Sequence, residues 1–120
     1  KGMTTMEERK YGFIALWKHA DPWYAMGSED RKKFIDKVNE INREAQEKGV
    51  WMSDVYDCSW SSEYRFFSFW ESPTIEIIQE TLEKLVACGD VNYYNIQRHF
   101  IGRAVPDSMN IDAYDPDYLK

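Results

Sequence analysis

His19 and His99 are the only histidines in the chain, so any chemistry that needs an imidazole must use one of them. His99 follows Asn95 and Gln97 at steps of two, and residues two apart share one face of a β-strand. Together with Trp17 and Tyr56, these side chains could hold an electron-rich aromatic molecule, take a proton from it and donate hydrogen bonds to the resulting enolate or phenolate. His99, Asn95 and Tyr56 are therefore the candidate catalytic residues. The same groups would equally bind a ligand without turning it over, or simply fill an interior with their polar atoms satisfied across a dimer.

His99 among aromatic residues could also serve as the axial ligand of a haem. A histidine hydrogen-bonded at a strand end is the simpler account, and no cofactor is expected. His19, in the loop expected after the first strand, could edge a pocket mouth with Asp21, although a surface histidine explains it as well. Cys58, in an expected strand, and Cys88, at an expected helix end, lack the short spacing of zinc or redox sites and read as buried free thiols. Asp112, Asp115 and Asp117 lack the glycine and terminal glutamate of a calcium loop, so no metal site is expected. Ser59, Ser61 and Ser62 have no nucleophile-elbow context, and a glycine-rich phosphate loop is absent, which argues against acyl transfer and against ATP or dinucleotides.

Composition narrows the partners. Fifteen basic against 21 acidic residues leave a net charge of −6, and no basic run could track a phosphate backbone, so nucleic acid is a poor partner. No apolar stretch approaches the roughly 20 residues of a membrane span, and a cytoplasmic protein is expected. A chain of 120 residues is one domain by length, and its 16% aromatic share exceeds what a small core requires. Lys1 and Gly2 precede Met3 and read as a purification remnant in a loose arm spanning 1–10.

The elements that must position these residues follow from periodicity. Tyr11 to Lys18 is apolar on both parities, as a strand covered on both faces would be, and ends at the turn-forming run His19-Ala20-Asp21-Pro22. Ser28 is the expected N-cap of a helix over 29–48 that Gly49 stops. Val50 to Trp60 and Tyr64 to Trp70 read as a hairpin. Ser72 as N-cap and Pro73 at the first position open a second helix, ended by Gly89. Val91 to Ile101 closes the regular part as a fourth strand. Residues 103–120, with Pro106, Pro116 and several aspartates, read as an irregular acidic tail.

The order β-α-β-β-α-β with right-handed crossovers gives an α+β ferredoxin-like domain over 11–102. Its four-stranded antiparallel sheet has the spatial order 4-1-3-2, with both helices on one face. The second face then needs a cover, and a two-fold copy of the same sheet supplies one, so a homodimer is expected. In the first strand, Gly12, Ile14 and Leu16 suit close-packed helices, which leaves Tyr11, Phe13, Ala15 and Trp17 for the cavity between sheets. By the same reasoning Ile96 and Phe100 face the helices. Tyr11, Phe13, Trp17, Tyr93, Asn95, Gln97 and His99 become the expected ligand-binding residues. The facing of the second and third strands stays open.

The element order, the aromatic first strand and the segment from Pro22 to Phe34 leading into the first helix resemble the dimeric α/β-barrel superfamily. That superfamily includes antibiotic-biosynthesis monooxygenases, stress-responsive barrel proteins and haem-degrading relatives. The resemblance covers about residues 11–101 and implies a small aromatic or largely apolar ligand, with cofactor-independent monooxygenase-like activity as one expectation. A non-catalytic protein whose sheet face serves only for assembly, or for docking to a larger enzyme, is the alternative.

Overall fold

The computed structural model describes residues 9–105. The arm over 1–10 and the tail over 103–120 therefore lie almost wholly outside the described residues. Five strands and three helices follow in the order β1 (Tyr11–His19), α1 (Asp21–Ala25), α2 (Ser28–Glu47), β2 (Trp51–Met52), β3 (Tyr56–Asp57), β4 (Phe66–Ser72), α3 (Ile75–Ala87) and β5 (Asn95–Arg103). The sheet runs β2-β4-β1-β5, with β3 also paired to β4 and all ladders antiparallel. This is the expected ferredoxin-like order 4-1-3-2, its second strand broken into two short pieces.

The break sits at Ser53. Its N–H donates to Phe69 O (2.9 Å) while its hydroxyl accepts from Phe69 N–H (2.8 Å), so a side chain completes pairing that the backbone alone leaves open. The run after His19 is the one-turn helix α1 and not a plain turn. The fourth strand starts at Asn95 and not at Val91, because Asn92 at φ 68° turns the chain first.

Both long helices end alike. Gly49 (φ 106°) and Gly89 (φ 93°) occupy the left-handed position that favours glycine, and the residue after each donates its N–H back to the helix: Val50 to Ala45 O (3.2 Å), Asp90 to Leu85 O (2.9 Å). The helix starts differ from expectation. Gly27 is the N-cap of α2, and Thr74 caps α3 by accepting from Ile77 N–H (3.3 Å). Ser72 instead lies fully buried, its hydroxyl donating to Thr74 O (2.7 Å).

The core reverses the expected facing. Phe13 (3% exposed) and Ala15 pack in one cluster with Trp70 from β4, Ile41 and Ala45 from α2, and Ile78 and Leu85 from α3. The odd residues of β1 therefore face the helices. Register then assigns every other strand, since directly paired residues share a face. Trp70 pairs with Phe13, Ser68 with Ala15, and His99, Gln97 and Asn95 with Ala15, Trp17 and His19. Gly12, Ile14, Leu16, Phe67, Phe69, Ile96 and Phe100 lie on the opposite face, where Ile96 and Phe100 are 48% and 52% exposed. Phe13 and Trp70 fill the space against Ile41, Ala45, Ile78 and Leu85, which decides the facing. Phe67, Phe69 and Phe100 share the outer face with Ile14, Leu16 and Ile96.

Candidate functional site

Gly89 makes the site. The left-handed turn it permits brings Asp90 back under the C-terminal end of α3, with the Asp90 backbone already tied to Leu85. From there the carboxylate points at the start of β5. Asn95 Nδ2 donates to Asp90 Oδ1 (3.0 Å) and Gln97 Nε2 to Asp90 Oδ2 (3.1 Å), and both amides also reach the Asp90 carbonyl.

A carboxylate only accepts, so both amides must turn their NH₂ groups inward and their oxygens outward. The oxygens meet the two histidines. His19 Nδ1–H donates to Asn95 Oδ1 (2.7 Å), and His99 Nε2–H donates to Gln97 Oε1 (2.6 Å). The result is a five-residue network with one acid at its centre and one imidazole at each end. Burial raises the Asp90 pKa above the ordinary carboxylate value, opposed by the hydrogen bonds from Gln97 and Asn95. Burial also lowers the His99 pKa, which favours the neutral ring.

Asp90, Asn95 and Gln97 line one end of a cavity of about 250 Å³ between the sheet and helices α2 and α3. Phe13, Trp17 and Trp70 rise from its floor, with the Ser68 hydroxyl among them, while Phe34, Val38 and Asn42 come from α2. His19 lies at the wall, stacked on Trp23 at 4.1 Å and 7°. The Arg31 guanidinium sits 5.0 Å from the Trp23 ring and donates to Trp23 O and Met26 O. Arg31 thereby holds the short helix α1 against the cavity.

The expected site residues divide. Phe13, Trp17, Asn95 and Gln97 line this cavity, on the helix side of the sheet and not on the face expected to meet a second copy. His99 shares their face, 5.0 Å from the Phe13 ring, but stands behind Gln97 and does not line the cavity. Tyr11 packs at the core's edge, and Tyr93 is an exposed residue of the turn before β5, not of the strand. Tyr56 lies on the outer face, stacked on Phe67 at 5.2 Å, so the trio His99, Asn95 and Tyr56 does not assemble. His19 ends β1 and is no surface-loop residue, whereas Asp21 is exposed. Cys58 is buried beyond β3, Cys88 is half-buried at the end of α3, and both are free. Sequence reasoning missed Asp90, although the Gly89 stop signal fixes its backbone.

Among the described residues, no group of three or more His, Cys, Asp or Glu could hold a metal ion, and no helix is long and apolar enough to cross a membrane.

The profile of a family of unknown function, DUF6616, matches residues 10–106, every element from β1 to β5. The chain belongs to the DUF6616 family. No curated protein matches it. Among solved structures, this DUF6616 chain is similar to a mutant chlorite dismutase from Candidatus Nitrospira defluvii, with 15% identity and a TM-score of 0.69 over 94% of this chain and 47% of that one. It is similar also to a haem-binding protein from Thermus thermophilus, with 12% identity and a TM-score of 0.71 over 89% of this chain and 44% of that one. The chain thus spans about half the length of the structures it matches, and at such identities the likeness is one of fold.

Proposed function

We propose that the protein binds a small, largely apolar molecule in the cavity between its sheet and helices α2 and α3, with Asp90 as the polar anchor. The observation that carries this reading is a half-buried carboxylate, oriented by Asn95 and Gln97, among the lining of an aromatic-walled space of about 250 Å³. Apolar cavities of about 150 Å³ already take up benzene, so one substituted ring, or two fused rings, suits this volume. Few convergent polar groups among rings are what a ligand site needs for orientation. The indole N–H resonances of Trp17 and Trp70 should shift on titration with 2-phenylethanol and stay fixed in Val38→Phe, which fills the space. Unmoved resonances in the native chain would sink the proposal. An oxygenase acting without a cofactor would need the base that Asp90 supplies, and oxygen uptake in the presence of a naphthol separates turnover from binding alone.

Haem, which the Thermus protein binds by its description, does not fit these residues. About 250 Å³ lies below the roughly 300–1,000 Å³ of ordinary ligand clefts, too little to enclose a porphyrin. His99 stands outside the cavity with Nε2 held by Gln97, and His19 is clamped between Asn95 and Trp23.

The outer sheet face supports a second proposal, a homodimer packed through it. Phe69, Ile96 and Phe100 are exposed there beside Ile14, Leu16 and Phe67, more contiguous apolar surface than a lone sheet keeps in water. Native mass spectrometry should find a dimer that Phe69→Asp dissociates. A monomer at micromolar concentration would leave the face for a larger partner or refute the pairing.

A further inference from the structure

The acid at the cavity has no Lys or Arg paired with it among the described residues, and the titratable group that acts on it is His19, through Asn95. Asp90 takes part in none of the ion pairs among the described residues, and both of its oxygens accept from neutral amides. Neutral donors orient a carboxylate but leave its charge in place. Even a half-buried carboxylate gains from a cationic partner, and one under a helix C-terminus also meets the negative end of the helix dipole. Arg31, whose guanidinium lies 5.0 Å from the ring of the lining residue Trp23, donates to two backbone carbonyls.

The walls match the same missing group. Trp17, paired in register with the Gln97 that holds the acid, and Trp70, further along the sheet, both line the cavity, and indole faces attract organic cations more strongly than any other side-chain ring. The chain's net charge of −6 adds a long-range pull in the same direction.

We propose that the cavity takes an organic ammonium ion, a small amine carrying one or two rings, with its cationic head at Asp90 and its apolar body against Trp17 and Trp70. This rests on the ligand-binding reading of the cavity and names the ligand's class. It is an assignment of binding alone and invokes no chemical step.

Calorimetry with 2-phenylethylamine and its neutral isostere 2-phenylethanol tests it. The amine should bind the full chain at neutral pH roughly tenfold or more tightly than the alcohol. Asp90→Asn should erase that preference while keeping affinity for the alcohol. Equal affinities in the native chain would overturn the ammonium and leave the cavity reading standing; binding of neither would overturn both. Should Asp90→Asn fail to fold, tetramethylammonium, charged at every pH, carries the same test in the native protein. Its binding should weaken on acidification as Asp90 gains a proton, and binding that holds would refute the proposal. His19 from β1 and His99 from β5 reach Asp90 through the amides, and Cys88 lies beside it at the end of α3. The titration is therefore repeated in His19→Gln and His99→Gln, where the loss at low pH should persist.

Discussion

Asn95 faces Asp90 with its amide nitrogen at 3.0 Å and His19 with its amide oxygen at 2.7 Å, so one nearly inaccessible side chain joins an acid on the α3–β5 turn to an imidazole on β1. The Asn95 amide cannot be flipped without setting its oxygen against the carboxylate, and a buried polar atom left unpaired costs about 1–3 kcal/mol.

Asp90 should set a pH dependence opposite to the usual carboxylate one. Its folded pKa is raised, chiefly by burial, so its contribution to stability is fully present below the unfolded value and is lost as pH rises through the folded value. In melting curves from acid to neutral pH, the native chain should lose stability relative to Asp90→Asn as pH increases. A difference that grows in favour of the native chain would contradict a desolvated acid.

His99 works the other way. Burial lowers its pKa, so its contribution holds above the unfolded value of about 6.5 and is lost as pH falls through the folded one. Its ring resonances should titrate with a midpoint below that of a free imidazole. A midpoint at or above it would mean that the ring is more open than its place behind Gln97 implies.

The two sheet faces can be told apart by two phenylalanines. Phe13, 3% exposed and 4.5 Å from the Trp70 ring, should cost about 3–5 kcal/mol as Phe13→Ala in urea denaturation. Phe100→Ala should change the dilute monomer's stability by no more than about 0.5 kcal/mol while weakening self-association. Reversed magnitudes would restore the facing first expected from the sequence.

Much of the architecture was legible, and the failures share one cause. Helical spacing in 29–48 and the stop signals at Gly49 and Gly89 gave both helices to within a few residues, because amphipathic periodicity is a strong local signal. The facing of β1 was not legible, since both parities of Tyr11–Trp17 are apolar and only packing against Ile41, Ala45 and Leu85 decides between them. Asn95 and Gln97 were found by their spacing, but their purpose was not. The acid they hold stands in a turn, where aspartate is commonplace, and its partial burial depends on contacts that no local pattern encodes.

Gly89→Ala should strain that turn. A Cβ there would lie 2.8 Å from a Tyr94 ring carbon at a φ of +93°, so a loss above about 1 kcal/mol is expected. The side-chain amide resonances of Asn95 and Gln97 should move as well, because Asp90 is the next residue. Unchanged amides would show that the acid is held independently of the turn.

Thr74→Ala removes the side-chain cap of α3 and should cost about 1 kcal/mol, measured by chemical denaturation. Ser28→Ala should cost far less, because Ser28 lies inside α2 and not at its cap.

The hydroxyl with which Ser53 completes the pairing to β4 also shapes how molecules can meet. An incoming strand needs a continuous row of free backbone groups, and the break between β2 and β3 denies it one. The opposite flank, β5, is nine residues long but carries Arg98 and Arg103 along its length. One flank is interrupted and the other carries charge, so both edges are poor templates for an added strand and the broad apolar face is what remains for a partner.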